Sequence, residues 1–516
     1  MITFIGKFKP FINHFICLIA GGILPFAFAP FHQDWIAFIS PILLLFATER
    51  NTPKQGFGKG FLFGLGFFGF GVYWVFHSIY YFGQTTLFLA YAITLLLVAV
   101  LALFPAFLMI TTQRLFQNKP ISRASLGFPA LWVLFEMLRG SLFTGFPWLF
   151  LGTSQLHNPP FRAFAPVGSV WLVSWMILLT AGLTYGLFLH FYLNQKGKLK
   201  PLLLIAALGS IWIVGGLLHQ ISWVKPTPSP LKVALLQGNI PQQMRWESEA
   251  ISHIMATYES LTEEAKDADL IIWPEGAIPV PLPYSSSYFA RIENLLQNQG
   301  NALLAGVPVK NPNEDNYFNA LMGLGKAEGV YYKSLLVPFG EFIPFEKVLR
   351  GLIGFLDLPM SSFVSEDNTK HPSLTAFDLK IAPAICYEIT FPNHVRNSVL
   401  DKDVIVTVSN DAWFGTTAGP QQHLQMAQWR AIETGRYVLR ATNTGISAII
   451  TPMGDLTQAP QFEKTILRGE ITPMVGQTLW VKWGIGPLLV LLLVSFCGPL
   501  VSDFFQTLKH RIRKRS

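Results

Sequence analysis

Two rhythms of hydrophobic and polar positions divide the chain. Apolar residues first come in runs long enough to cross a hydrocarbon core as helix, which takes about 20 residues. The runs are Phe11–Ala29, Trp35–Thr48, Phe61–Tyr81, Thr85–Ile110, Leu126–Leu142, Val167–Leu193 and Leu202–Leu218, with another at Ile485–Val501. Trp35–Thr48 is the shortest. Ala27-Phe28-Ala29 resembles a signal-peptide cleavage site, but Pro30 follows it and further runs come after, so the first run is expected to stay. Trp223 to Pro230 is rich in proline and reads as a linker. The rhythm then changes. Short apolar runs at Lys232–Gln237, Leu270–Trp273, Ala302–Val309, Tyr317–Leu324, Val330–Val337, Ile381–Ile385, Val404–Val408 and Ser447–Thr451 read as strands. Glu247–Ala265 and Gln421–Arg440 carry apolar residues at spacings of three and four and read as helices. The expected organisation is a membrane domain of about seven helices over 1–222, a linker over 223–230, an α/β domain over 231–475, and a last membrane helix with a basic tail over 476–516.

Composition supports the division. Hydrophobic residues make up 51% of the 516 positions and charged residues 13%, about half the charge of a soluble domain. A net charge of +8 does not point to nucleic acid, because the basic residues sit in short stretches between apolar runs. Lys7 and Lys9 precede the first run. Arg50, Lys54 and Lys59 follow the second, Arg114, Lys119 and Arg123 the fourth, Lys196, Lys198 and Lys200 the sixth, and 509–515 the last. The alternate connections Phe31–Asp34, Phe82–Gln84 and Thr144–Phe161 carry almost no Lys or Arg. By the positive-inside rule both termini are cytoplasmic and the α/β domain lies on the far side. Three widely spaced cysteines give no disulfide framework.

Three residues at the ends of strand-like runs bear chemistry. Glu275 follows Leu270-Ile-Ile-Trp-Pro, Lys333 follows Tyr331-Tyr332, and Cys386 follows the apolar run Ile381–Ile385 and precedes Tyr387 and Glu388. Together they offer a thiol nucleophile, a carboxylate to take its proton, and an ammonium to stabilise an oxyanion. Spacing alone leaves the bland alternatives open: a core cysteine, a carboxylate after a Trp-Pro turn, and a lysine guarding a strand edge.

These contexts resemble the nitrilase (carbon–nitrogen hydrolase) superfamily, and more closely its membrane-bound branch, the apolipoprotein N-acyltransferases. The similarity rests on Gln237-Gly-Asn-Ile-Pro-Gln242, Trp273-Pro-Glu275, Lys333 with Leu336-Val-Pro-Phe-Gly-Glu341, Cys386-Tyr-Glu388, Ser409-Asn-Asp-Ala-Trp-Phe-Gly415, Arg430-Ala-Ile-Glu-Thr-Gly-Arg436 and Arg440-Ala-Thr-Asn-Thr-Gly445. In the apolar part, Glu136-Met-Leu-Arg139 and Thr144-Gly-Phe-Pro-Trp148 fit as well. The resemblance implies a multi-span helical membrane bundle joined to an αββα sandwich. It implies an enzyme of the bacterial inner membrane with its catalytic domain in the periplasm and no cofactor or metal. The acyl donor would be a phospholipid and the acceptor the N-terminal amine of a diacylglyceryl-cysteine on an apolipoprotein. Cys386 would be the nucleophile, Glu275 the base and Lys333 the oxyanion stabiliser, supported by Glu341 and Glu388 and lined by Tyr387 and Trp246.

Other residues read more plainly. His423 is expected to be structural or capping, since no metal-ligand spacing surrounds it. Glu136 and Arg139 suggest function because charge is costly in lipid, yet at i and i+3 they can also pair with each other. Trp148, Trp223 and Trp480 suit an interfacial belt. Phe339, Phe342 and Phe345 suit either a greasy lid or core packing. Two rivals to acyl transfer are a membrane-tethered amidase, which would hand its acyl group to water, and a transporter or receptor. The second fits less well, because the chain shows no internal repeat.

Overall fold

The computed structural model describes residues 2–83, 85–117, 119–193, 199–312, 314, 316–342, 363–368 and 371–513, excepting the side chains of 2–10, 246 and 501–513. The chain forms two compact units, one of Met1–Phe76, Leu87–Ile221 and Trp483–Ser516, the other of His77–Thr86 and Ser222–Lys482.

The first unit is a helical membrane bundle, with main helices at Ile2–Ile23, Ile36–Ala47, Pro53–Gly71, Leu87–Leu115, Phe128–Arg139, Ala165–Tyr192, Leu199–His219 and Gly486–Arg513. Leu87–Leu115, Pro120–Arg139, Ala165–Tyr192 and Leu199–His219 are long and apolar enough to cross a membrane. The expected run Phe61–Tyr81 is two helices, Pro53–Gly71 and Trp74–Phe82, bent by 58° and together long enough to make a fifth. Thr52 and Gln55 cap the first of the pair, which ends at Val72, where φ −124° and ψ 26° leave the helical region. The apolar pattern runs straight across this break, so hydropathy alone misses it. Phe11–Ala27, Ile36–Ala47 and Gly486–Leu500 are shorter apolar helices. Pro53–Gly71 packs through small residues: a Cβ on Gly60 would lie 2.3 Å from the Pro105 carbonyl oxygen, and one on Gly64 2.6 Å from Ala102 Cα. Such close backbone approach is how apolar helices associate where lipid gives no hydrophobic drive.

The buried charges of this unit hold loops. Glu136 accepts from Trp132 Nε1 at 3.0 Å, the Leu151 amide at 2.7 Å and Ser174 Oγ at 2.8 Å. Arg139 donates to the carbonyls of Phe146 and Trp148 and lies over the rings of Phe68 and Phe150. The two residues therefore bracket the turn that carries Thr144–Trp148, which gives them a structural role. Trp148 is buried against Trp74 rather than set in an interfacial belt.

The second unit has strands β1 (Lys225–Pro226), β2 (Leu231–Gln237), β3 (Leu270–Ile272), β4 (Ala302–Lys310), β5 (Tyr317–Gly325), β6 (Ala327–Glu328), β7 (Val330–Tyr332), β8 (Thr375–Ala376), β9 (Leu379–Ile385), β10 (Val404–Ser409), β11 (Val438–Thr442), β12 (Ala448–Ile450), β13 (Leu456–Gln458), β14 (Thr465–Ile471) and β15 (Met474–Val475). One sheet runs β14-β2-β3-β4-β5-β7 and the other β13-β12-β11-β10-β9-β8-β6, while β1 pairs with β15. Strand alternation builds three layers of core. Val233, Leu235, Ile272 and Leu304 of one sheet meet Ile381, Ile385, Val406 and Leu439 of the other. Ala234, Leu236 and Ile271, on the opposite face, pack against Ile254, Tyr258, Ile292 and Leu296 of helices Ile251–Glu264 and Ser286–Gln299. Ala382, Ala384 and Ile405 pack against Val395, Leu424, Ala427 and Ala431 of helices Pro392–Ser398 and Gly419–Thr434. This is an αββα sandwich. Truncating one of its central leucines to alanine costs about 2–5 kcal/mol.

Two expected elements change. Val330–Val337 is strand only to Tyr332, because the amides of Ser334 and Leu335 turn to the Glu388 carboxylate instead of a neighbouring strand. Gln421–Arg440 is a helix followed by a strand. Gly435 at φ +66° closes the helix in the left-handed conformation glycine permits, and β11 begins at Val438.

Candidate active site

The central strands β2, β3 and β4 are parallel, as are β9, β10 and β11, so their carboxyl ends collect loops at one edge of each sheet. Glu275 follows β3, Cys386 follows β9 and Asn410 follows β10; Lys333 follows the antiparallel β7. β4 comes so close to the Glu275 turn that a Cβ on Gly306 would lie 2.3 Å from the Pro274 carbonyl oxygen.

Lys333 is the hub. Its Nζ donates to Glu341 Oε1 at 2.7 Å and to Glu275 Oε1 at 3.3 Å, and the side chain is fully buried. Glu275 also accepts from Asn319 Nδ2 at 2.7 Å and from the Asn410 amide at 2.9 Å. Glu341 accepts from the Val337 amide at 2.8 Å. One ammonium thus serves two carboxylates, and the Arg245 guanidinium, bonded to the Gly276 carbonyl, acts on Glu275 as well. Burial alone would push the Lys333 ammonium down; Glu341, Glu275 and Cys386 more than offset it and hold the group above its ordinary value. Glu341 is pushed up, first by burial and then by Glu275, against the pull of Lys333. Burial pushes the partly exposed Cys386 thiol well above the ordinary cysteine range; Glu275 adds to this and Lys333 opposes it. The thiol therefore rests protonated, with the charges of Glu275 and Lys333 acting on it in opposite directions.

Cys386 has φ +53°, in the left-handed region that non-glycine residues avoid. The chain leaves β9 there and enters a tight helical turn, Cys386–Thr390. Glu388, wholly buried, secures the turn. Its Oε2 accepts from the Ile385 amide at 2.7 Å. Its Oε1 accepts from the Ser334 amide at 2.7 Å, Ser334 Oγ and Tyr331 OH at 2.9 Å, and the Leu335 amide at 3.1 Å. One carboxylate thereby ties the segment after Lys333 to the turn at Cys386.

The structure brings Glu275, Lys333, Glu341, Cys386 and Glu388 into this one network. Tyr387 is buried edge-on to Phe391, in packing. The Trp246 side chain and Phe345 lie outside the described residues. Phe339 is half exposed. Asn319, Gln242 and Asn410, the last two joined at 2.7 Å, were given no role by the sequence. Gln242 and Asn410 stand in the motifs around Gln237 and Ser409; nothing local to Asn319 marks it. His423 does not cap its helix: it lies in the second turn, its Nε2 3.1 Å from the Cys386 carbonyl oxygen. Among the described residues no group of three or more His, Cys, Asp or Glu side chains could hold a metal ion.

Comparison with known proteins bears on the whole chain. Residues 20–183 match the model of the apolipoprotein N-acyltransferase N-terminal domain, and residues 232–478 match that of carbon-nitrogen hydrolase. An apolipoprotein N-acyltransferase of Pseudomonas syringae pv. tomato is 40% identical, over 95% of this chain and 97% of its own. One of Coxiella burnetii is 40% identical, over 94% of this chain and 100% of its own. Among solved structures, Saccharomyces cerevisiae Nit3, a nitrilase-superfamily member, is 20% identical with a TM-score of 0.35, covering 52% of this chain and 97% of that one.

Proposed function

The chain belongs to the apolipoprotein N-acyltransferase family, and from that premise we propose that it moves a fatty acyl chain from a membrane phospholipid to the N-terminal amine of a diacylglyceryl-cysteine on an apolipoprotein. The observation that carries the mechanism is the buried Lys333 held between Glu275 and Glu341, with Glu388 joining its segment to the strained Cys386 turn.

In the first half-reaction Cys386 Sγ attacks the ester carbonyl of the phospholipid as its proton passes to Glu275. The Lys333 ammonium, already bound in place, stabilises the oxyanion without reorganising. The C–O bond breaks, and the lysophospholipid alkoxide leaves with the proton from Glu275. A thioester remains on Cys386. In the second half-reaction the amine attacks that thioester, Glu275 takes a proton from the nitrogen, and the thiol is restored as the amide forms. Glu341 keeps Lys333 in position and charged throughout. Two large lipidic substrates used in turn need only one acyl site.

The basic connections around Arg50, Arg114 and 509–515 support cytoplasmic termini. On that reading the enzyme lies in the inner membrane with the α/β unit in the periplasm. Incubation with phospholipid alone is expected to add one acyl group to Cys386, seen by intact-protein mass spectrometry and removed by neutral hydroxylamine. Cys386→Ala should take up none. Release of free fatty acid into buffer at the rate of acylation would instead indicate an amidase-like hydrolase. Lysophospholipid release that requires both substrates together would rule out the thioester.

A further inference from the structure

The turn at Cys386 is held at a second point. His423 Nε2 lies 3.1 Å from the Cys386 carbonyl oxygen. A carbonyl only accepts, so Nε2 carries the proton and donates. The other ring nitrogen, Nδ1, is 3.0 Å from Asp411 Oδ1 and 3.2 Å from Arg440 Nη2, and that same Nη2 donates to Asp411 Oδ2 at 2.6 Å. All three side chains are essentially buried. Burial and the Arg440 charge push the His423 imidazole below its ordinary value. The two oxygens, one at each ring nitrogen, call for a proton on both, and Asp411 favours that form; burial and the Arg440 charge oppose it. Asp411 is held below the ordinary carboxylate range: burial opposes this, and Arg440 and His423 outweigh it.

Two facts make this more than a satisfied buried cluster. Cys386 occupies a backbone conformation that costs about 1–3 kcal/mol and persists only where the surroundings fix it. Glu388 holds the amide just before it, and His423 holds the carbonyl just after. Asp411 is also covalently next to Asn410, whose amide binds Glu275. The one turn at 410–411 thus sets the base directly and the nucleophile through His423.

We propose that Asp411, His423 and Arg440 form a positioning relay that holds Cys386 in its strained conformation and keeps its thiol in line with Glu275. The proposal rests on the reading of Cys386 as the nucleophile. His423 touches neither substrate nor reacting atoms; it is a positioning residue. The relay acts on the rate of acylation and on the state of the thiol, and leaves phospholipid affinity alone.

The test compares His423→Gln, His423→Asn and His423→Phe in the full-length protein. It reads single-turnover acylation, the KM for phospholipid, and alkylation of Cys386 by iodoacetamide across pH, located by mass spectrometry. Acyl-enzyme formation by the wild type checks the nucleophile separately, so failure of that reading and failure of the relay look different. Glutamine can place an amide N–H where Nε2 lies; asparagine is too short, and phenylalanine keeps the ring without a donor. The expected result is a loss of about 100-fold in acylation for His423→Phe, the scale of a misplacement near 1 Å. KM should be unchanged, the alkylation profile displaced, and His423→Gln restored to within about 10-fold of wild type. If His423→Phe does not accumulate folded, the comparison of Gln with Asn stands alone. Equal rates for those two, a loss in KM rather than rate, or a His423→Phe enzyme with more than half the wild-type rate would each overturn the relay.

Discussion

Glu136 in the helical unit and Glu275 in the α/β unit are buried carboxylates with three donors each, 5% and 8% exposed. Glu136 is served by an indole, a backbone amide and a hydroxyl, and Arg139 one turn on directs its guanidinium to backbone carbonyls and aromatic faces. Glu275 is served by an amide side chain, a backbone amide and an ammonium that it shares with Glu341, beside a thiol that burial first and the Glu275 charge second push up. The first arrangement has nothing left to exchange, so it fixes a loop. The second shares one ammonium between two carboxylates, with the Arg245 guanidinium also acting on Glu275 and a thiol close by, and on the proposed mechanism a proton passes there from thiol to carboxylate and on. Burial and bond number do not distinguish the two carboxylates; what distinguishes Glu275 is the company of a second carboxylate and a thiol.

The comparison breaks soonest at Lys333. Lys333→Ala should lower the acylation rate by about two decades, near 3 kcal/mol of transition-state stabilisation. Lys333→Arg should be nearly as damaging, because a planar guanidinium on a longer stem misplaces the charge between Glu275 and Glu341. Single-turnover acylation measures both. An Arg enzyme with more than about half the wild-type rate would remove the oxyanion role. Lys59, the buried lysine of the helical unit, bonds the Ala47 carbonyl at 2.7 Å and Asn51 Oδ1 at 3.3 Å. Its replacement by Met should appear in stability and leave the acylation rate of the folded protein as it was.

A smaller effect is expected at Glu136. Glu136→Ala strands the Trp132, Leu151 and Ser174 donors and should cost about 2 kcal/mol of stability, read as a lower melting temperature in detergent. Glu136→Gln keeps the volume and an acceptor for the Leu151 amide, and should recover most of the loss. In both variants the folded fraction should acylate at the wild-type rate. Loss of rate without loss of stability would place Glu136 with the chemistry and dissolve the contrast.

Much of this was legible in the residues. The continuous apolar runs at Val233–Leu236 and before Cys386 set the sandwich, because burial on two faces leaves a direct trace in the pattern. Glu275, Lys333 and Cys386 were visible because each ends such a run. The helix Ser286–Gln299 was not read: its apolar Tyr288, Phe289, Ile292 and Leu296 lie among polar residues. The break after Gly71 left no trace, since the residues on both sides are equally apolar. His423 reads as structural or capping for a related reason. Its partners Asp411 and Arg440 come together only when β10, β11 and the helix Gly419–Thr434 pack, and neither is at a spacing that sequence reading associates with histidine.

The smallest expected effect runs opposite to intuition and isolates the charge of Glu275 from its role as base. Burial is the main cause of the raised Cys386 thiol and Glu275 the next. Because the thiol is the form favoured below its pKa, wild-type Cys386 should react slowly with iodoacetamide at neutral pH. Reaction should quicken only at a pH above that of an ordinary cysteine, near 8.5. Glu275→Gln keeps the shape and removes the negative charge, so the thiolate becomes easier to form and the alkylation profile should move to lower pH. Lys333→Met removes the one group pulling the thiol down, and its profile should move higher. The two shifts have opposite signs, yet both variants should fail in acylation: one has no acceptor for the thiol proton, the other no cation for the oxyanion. A Glu275→Gln enzyme that alkylates more slowly than wild type at pH 8 would show that the carboxylate activates the resting thiol, and that the site does not wait for substrate before moving the proton.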